Sequence, residues 1–278
     1  MIVADLHLHT QASDGLYAPE EIVRLAVAKK LIAIAITDHD TVDGIDGALE
    51  AAQNTGLLVI PGIEFSTTFQ DKEIHILGYC LDYKGDALQS LLKELHESRY
   101  HRMEAMVQKL KELDYQITMD EVLRQAGAAA PGRPHAARVL VEKGYFPSVA
   151  AVFENLLEKG RPAYVKRFKL TPQAAMAAIE TAGGFSVWAH PGQVGDDSFL
   201  EQFIAYGLRG IEVYHPEHDA GQTEHYERLA KKHGLLMTGG SDFHGEDLGL
   251  RSNFANFGLT SRKFDLFKYY CMQIRHTV

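Results

Sequence analysis

Short apolar runs recur along this chain, each followed by a helix-like segment, and that alternation constrains the fold more than any other feature. The strands it predicts span about 2–7, 32–37, 57–65, 73–81, 185–189, 209–214 and 235–241. Ile32-Ala-Ile-Ala-Ile-Thr37 and Phe185-Ser-Val-Trp-Ala189 are apolar enough to be covered on at least one face. Between the runs lie helix signals. Pro19-Glu-Glu-Ile-Val-Arg-Leu-Ala-Val-Ala28 puts Pro at an early helical position and acids in the first turn. Thr171-Pro-Gln-Ala-Ala-Met-Ala-Ala-Ile-Glu180 repeats that start. Strands alternating with helices predict a parallel sheet, open or closed.

One stretch breaks the alternation. Residues about 86–125 read as a long amphipathic helix, with Leu88, Leu91, Leu92 and Leu95 on one face and Lys93, Glu94, Glu97 and Arg99 interleaved. Ala126-Gly-Ala-Ala-Ala-Pro-Gly-Arg-Pro134 then reads as a turning segment. Two short helices follow at 135–143 and 148–158. The expected organisation is an α/β body in two parts, 1–98 and 166–278, with a helical insertion at 99–165.

Histidines and acids stand at or near the ends of the predicted strands. His7 and His9 sit in Asp5-Leu-His-Leu-His9, two apart on a strand, so both side chains point to the same face. Asp14 follows in Ser13-Asp-Gly15, His39 in Thr37-Asp-His-Asp40, Glu64 in Gly62-Ile-Glu64 and His75 in Ile74-His-Ile76. His190 lies in Ala189-His-Pro191, and Asp242 and His244 in Gly240-Ser-Asp-Phe-His244. A lone His-x-His is weak evidence. Nine such residues at strand ends that converge in a closed barrel suit a cluster of divalent cations, and such a cluster implies hydrolysis by an activated water. Asp38 and Asp40 flank His39, where either could orient a ligand or cap a helix.

Composition sets the limits on partners and place. The chain has 278 residues, 46% of them hydrophobic, and a formal charge of −9. That charge argues against a broad basic surface for duplex nucleic acid but not against a small anion, since three divalent cations would create a local attractive field. Cys80 and Cys271 are too few for a disulfide framework, and Cys80 reads as a small buried hydrophobe. No run of 18 apolar residues exists to span a membrane, and the N-terminus reads as a strand rather than a charged-then-apolar leader. A cytoplasmic enzyme is expected.

The ordered motifs resemble those of the polymerase-and-histidinol-phosphatase (PHP) superfamily of metal-dependent phosphoesterases, over the whole chain outside the insertion. The resemblance implies a distorted (β/α)7 TIM-like barrel holding two or three metal ions. It implies His7, His9, Glu64 and Asp242 on a first metal. Glu64, His75 and His190 would hold a second, with Glu64 bridging, and Asp14, His39 and His244 a third. A hydroxide shared by the first two would attack phosphorus, and the third would neutralise the phosphate oxygens. Mixed His/carboxylate ligation fits manganese first, with iron or zinc also possible.

Within the superfamily, the chain resembles the subgroup with a helical insertion after the fourth strand, which includes nucleoside 3′,5′-bisphosphate phosphatases and 5′-to-3′ exoribonucleases. There an Arg-x-His-x-Ala-Arg segment contacts substrate, and Arg133-Pro-His-Ala-Ala-Arg138 matches it. Arg133, His135 and Arg138 are thus expected to bind phosphate, and Arg161, Tyr164 and Lys166 phosphate or base. His218 in Tyr214-His-Pro-Glu-His218 is a candidate general acid with Arg133 beside the reacting phosphate, and His215 is its alternative or a substrate contact. The expected partner is a small nucleotide or short RNA, not duplex DNA and not a membrane. A histidinol-phosphate-type phosphatase and a non-catalytic metal-binding regulatory module are the competing readings.

Overall fold

The expected strands form in register with their apolar runs in a computed structural model that describes residues 1–127, 131–166, 170–245 and 253–275. They are β1 (Ile2–Leu8), β2 (Ala33–Ile36), β3 (Leu58–Phe69), β4 (Lys72–Tyr79), β5 (Phe185–Trp188), β6 (Gly210–Tyr214) and β7 (Leu236–Gly239). An eighth, β8 (Leu259–Thr260), was not expected: two residues give no periodicity to read. Among the described residues these strands form one sheet in the order β7-β6-β5-β4-β3-β2-β1-β8.

β1, β2 and β3 run parallel, as do β5, β6 and β7. β4 departs from the parallel expectation and pairs antiparallel with both neighbours. The cause is its connection. Only Gln70 and Asp71 join it to β3, both at positive φ (47° and 62°), and a two-residue loop can only reverse the chain. β3 and β4 thereby become one long hairpin, Gly62 opposite Tyr79 and Phe69 opposite Lys72.

The sheet curls until the chain leaving β7 meets β1. Leu8 bridges Phe243 in parallel, and the His9 N–H donates to the Phe243 carbonyl at 3.1 Å. Gly240 permits this approach, since a Cβ there would collide with the backbone nitrogen and Cβ of His7. The result is a distorted TIM-like barrel, as expected. Strand ends that follow the parallel direction gather at this seam. β1 is buried on both faces from Ala4 onward, so its period of two sends Ala4, Leu6 and Leu8 one way and Asp5, His7 and His9 the other.

The chain divides into two units, Met1–Ser90 with Lys169–Val278, and Leu91–Phe168. In the first, Leu6, Leu77, Tyr79, Phe185 and Val187 pack with Phe264 and Phe267 of the last helix, Ser261–Arg275. Cys80 is buried there as expected but is also bonded to Cys271 in a disulfide, Cα atoms 6.2 Å apart across 191 residues. A sequence separation that long gives no sign of the pairing.

The helix that begins at Asp86, in the first unit, continues into the second and stops at Glu112 rather than near 125. Asp114 turns the chain at φ 66°, and Thr118 opens a new helix, Met119–Ala126. Its hydroxyl accepts the Glu121 N–H, and the Glu121 carboxylate accepts the Thr118 N–H at 2.9 Å, a reciprocal cap. Met106, Leu110, Val122, Ala137 and Leu140 form this unit's own core. Helices follow at Arg133–Glu142 and Val149–Val152, the latter continuing into a π-helical turn, Phe153–Leu157. Part of the turning segment expected at Ala126–Pro134 lies outside the described residues. Among the described residues, no helix is long and apolar enough to cross a membrane.

Phe267 is fully buried and meets the rings of Tyr79 and Phe185 at 5.3 and 5.6 Å. Phe267→Ala is expected to cost about 3–5 kcal/mol in chemical denaturation. A loss below about 1 kcal/mol would mean that the last helix is not seated on the barrel through this ring.

Candidate metal centre

Glu64 stands in the middle of β3 with no exposed surface, and four chain segments deliver five imidazoles to it. From β1, the Nε2 atoms of His7 and His9 each lie 3.3 Å from its Oε2. His39, just after β2, brings Nδ1 to 3.0 Å of the same oxygen. On the other side, His75 of β4 places Nδ1 2.9 Å from Oε1, and His190, just after β5, places Nε2 3.1 Å from it. Asp242 completes the group: its Oδ1 is 3.3 Å from His7 Nε2 and 3.1 Å from His9 Nε2.

A second gathering surrounds Asp14. Its carboxylate lies 3.3 Å from His244 Nε2 and 3.8 Å from both His39 Nε2 and His9 Nδ1. All nine residues singled out from the strand ends are therefore brought together in the first unit. Among the described residues four groups of donor atoms are compact enough to hold an ion: His7, His9, Glu64 and Asp242; His9, Asp14, His39 and His244; His39, Glu64 and His75; and His7, Glu212 and His215. The third differs from the expected trio by having His39 in place of His190, although His190 reaches the same Glu64 oxygen as His75.

The donor set fits divalent cations. His7 Nε2, His9 Nε2, His39 Nδ1 and Glu64 Oε2 are buried and have no hydrogen-bond partner among the described residues. Buried polar atoms of this kind are rarely left unpaired. Bonds of about 2.0–2.2 Å to a shared ion would separate such atoms by about 2.8–3.6 Å. The distances around Glu64 Oε2 and Asp242 Oδ1 fall in that window.

Electrostatics couples the imidazoles and carboxylates of the cluster strongly. Burial works to lower His7, yet Glu212, Asp242 and Glu64 override it and hold His7 well above the usual imidazole value. Burial likewise opposes His9 and His75, and their carboxylate neighbours push them up to about 10 and about 9. Burial would raise Glu64 and Asp242, but the surrounding imidazoles hold both well below the carboxylate range. A cation bound at these nitrogens would have to displace any protons they carry, so binding and proton release are linked.

A surrounding layer, largely unread in the sequence, holds the ligands. Asp38 accepts from the Thr10 N–H at 2.7 Å, the Thr10 hydroxyl at 2.8 Å and the Ser13 hydroxyl at 2.5 Å, fixing the loop that carries Asp14. Asp40 accepts the Ser66 N–H at 3.0 Å. The following helix, Gly44–Ala51, has Asp43 at its N-cap with no side-chain bond, so Asp38 orients a ligand loop rather than capping. Asp5 is fully buried, takes the N–H groups of Ser241 and Ala255, and is pushed by burial up to about 6. Glu212 of β6, also fully buried, meets His7 Nδ1 at 3.0 Å. Asp5 stands two residues before the His-x-His motif. An acid in the middle of the apolar run Gly210–Tyr214 was the only available sign of Glu212.

His218 does not fit the general-acid role expected of it. Its Nδ1–H donates to the Val213 carbonyl at 3.0 Å and its Nε2 accepts the Gly192 N–H at 3.1 Å. Both nitrogens are thus bonded to backbone in a buried place, and its one ring proton, on Nδ1, is directed at the Val213 carbonyl. His215 is also buried. Its Nδ1 accepts the Glu217 N–H at 3.2 Å, which leaves Nε2–H directed at Asp242 Oδ2, 3.3 Å away. It braces a ligand instead of facing a substrate.

Arg133, His135, Arg138 and Tyr164 belong to the helical unit. The Arg133 guanidinium lies 5.3 Å over the Phe153 ring and donates to the Leu157 carbonyl at 3.3 Å. His135 Nδ1 accepts the Gly132 N–H at 3.0 Å, leaving Nε2–H as a donor, and burial with the Arg138 charge lowers its pKa. Arg138, Arg161 and Lys166 are exposed, and Tyr164 is half-buried.

The model of the PHP domain family matches residues 5–161 of this chain. The chain is 35% identical over 250 residues to the 5′-3′ exoribonuclease Rnm of Salmonella typhimurium, covering 87% of this chain and 85% of that one. It is 32% identical over 256 residues to the 3′,5′-nucleoside bisphosphate phosphatase of Chromobacterium violaceum, covering 88% and 90%. A solved structure of a presumed metal-dependent phosphoesterase from Bifidobacterium adolescentis superimposes with a TM-score of 0.80 at 32% identity, covering 94% of each chain.

The raised histidines carry a sign. In metal-free protein, the stability they contribute is full below about 6.5 and is lost as pH rises through about 9 and 10. The melting temperature of metal-free protein should therefore fall between pH 7 and 10, while that of metal-loaded protein holds. Loading at pH 8 should also release protons, seen in calorimetry as a heat that depends on the buffer's ionisation enthalpy. Equal heats in two such buffers would contradict the protonated cluster.

Proposed function

The chain belongs to the PHP domain family, and from that premise we propose that it is a metal-dependent phosphoesterase that hydrolyses a terminal phosphate ester of a 3′,5′-bisphosphonucleoside or of a short RNA 5′ end. The supporting observation is the convergence of five imidazoles and Asp242 on one buried carboxylate, with donor atoms otherwise unpartnered. Such a centre leaves coordination positions open, which a purely structural site does not.

In this reading His7, His9, Glu64 and Asp242 hold one cation, Glu64, His75 and His190 a second, and Asp14, His39 and His244 a third. Manganese is the first choice, with iron and zinc as the alternatives for a mixed His/carboxylate set. Divalent cations bound there supply an activated water and neutralise charge on the phosphate oxygens. The chain's own residues do the positioning. Asp38 keeps Asp14 at the mouth, His215 directs Asp242, and Glu64 divides its two oxygens between two sets of imidazoles.

Substrate recognition falls to the helical unit. Residues 91–168 carry 13 Lys and Arg against 10 Asp and Glu, whereas the rest of the chain carries 15 against 27. A cationic surplus in an otherwise acidic protein suits an anionic ligand. Arg133, held flat over Phe153, offers a fork to phosphate, and Arg138 adds a second charge. His135 offers an N–H donor, and Tyr164 a ring for a base. Cytoplasmic residence fits such a substrate.

Manganese-loaded protein should release phosphate from a 3′,5′-bisphosphonucleoside or mononucleotides from a 5′-phosphorylated oligoribonucleotide, and should act on histidinol phosphate far more slowly. His9→Asn and Asp242→Asn should lower turnover at least about 100-fold with circular dichroism unchanged. Wild-type rates in either variant would remove its residue from the first cation's ligands. Inertness of loaded wild type toward every phosphoester would defeat the enzymatic reading.

A further inference from the structure

Glu212 belongs to none of the ligand sets above, yet it has no exposed surface and sits on β6 beside the centre. A carboxylate in that position is costly unless every lone pair is used. Its oxygens lie 3.0 and 3.2 Å from His7 Nδ1. The second oxygen also accepts the backbone N–H of His190 at 2.9 Å.

These bonds touch two ligands that face opposite oxygens of Glu64. A hydrogen bond from Nδ1–H to Glu212 fixes His7 in the tautomer whose Nε2 is bare. That Nε2 is the atom left without a partner, and it faces Glu64 and Asp242. His190 has a left-handed backbone (φ 27°, ψ 57°), uncommon for a residue with a side chain. Held so, its Nε2 lies 3.1 Å from Glu64 Oε1.

We propose that Glu212 is a positioning residue for the metal centre: one buried carboxylate that sets the tautomer of His7 and anchors the backbone of His190, preforming ligands on both sides of Glu64. It does not itself bind a cation. His7, Glu212 and His215 could in principle group around an ion, but both Glu212 oxygens face N–H groups and the His215 Nδ1 is taken by the Glu217 N–H. The inference rests on the metal-dependent reading above.

The same geometry says why an amide cannot substitute. Gln at 212 has one acceptor oxygen for two donors. With that oxygen toward His7, the amide N–H₂ confronts the His190 N–H. Flipped, the oxygen accepts the His190 N–H, but the amide N–H₂ then stands 3.0 Å from His7 Nδ1 and opposes a proton there, favouring the tautomer with the proton on Nε2, the atom the cation needs. Glu212→Gln conserves shape, so a merely structural role predicts little change.

The test uses the full chain, stripped and reloaded with cobalt(II). Glu212→Gln should bind cobalt about 10–100-fold more weakly in chelator competition and shift the visible d–d bands, which report ligand geometry. Circular dichroism serves as the folding control. Equal affinity and unshifted bands in folded Glu212→Gln would overturn the proposal alone, whereas no cobalt uptake by the wild type would overturn the metal-dependent reading with it. Should Glu212→Gln fail to fold, imidazole ¹⁵N shifts of zinc-loaded wild type decide. A protonated Nδ1 on His7 supports the proposal, and a metal-bound Nδ1 overturns it.

Discussion

A carboxylate with no access to water stands within hydrogen-bond reach of five imidazoles, and much of the barrel's curvature serves to bring them there. Glu64 comes from β3, the imidazoles from β1, from the ends of β2 and β5, and from β4. A flat sheet would spread these positions apart. Curling it until Gly240 packs on His7 and Phe243 bonds to His9 draws them to one mouth. A buried carboxylate is tolerable only when opposite charge surrounds it, from protons on the histidines or from cations in their place.

Holding these groups so close strains the chain locally. His190, Asp40 and Asp242 all have positive φ, at 27°, 53° and 49°. Side-chain residues adopt such backbone only where surrounding bonds over-determine it. Those bonds are present: the His190 N–H goes to Glu212, the Asp40 carboxylate takes the Ser66 N–H, and Asp242 is braced by His215. Asp5 ties the segment after β7 to that near Ala255. The nine side chains sit on strands and on the loops that follow them, and an outer layer of acids and imidazoles fixes their angles.

Much of this was legible before any coordinates. Ligand-type residues at strand ends are out of place as core, and the nine positions singled out on that ground are the ones that meet. The seven strands were readable because their apolar runs are continuous. What sequence hid has specific causes. The reversal of β4 depends on a two-residue turn, Gln70–Asp71, that lacks glycine, the usual marker. The long helix breaks at Asp114 because of backbone geometry that its leucine stripe does not announce. His218 looked like an acid catalyst because proximity in sequence to His215 says nothing of where its nitrogens point. Glu212 sat inside an apolar run, where one acid is easily passed over.

The central claim is that Glu64 lies between cations that the nine side chains hold. Anomalous diffraction at the manganese edge, from crystals grown with that ion, tests it most directly. The account predicts peaks on both sides of Glu64, within bonding reach of its two carboxylate oxygens, and a further peak beside Asp14. A map with no peak at Glu64, from protein that still hydrolyses phosphoesters, would contradict it.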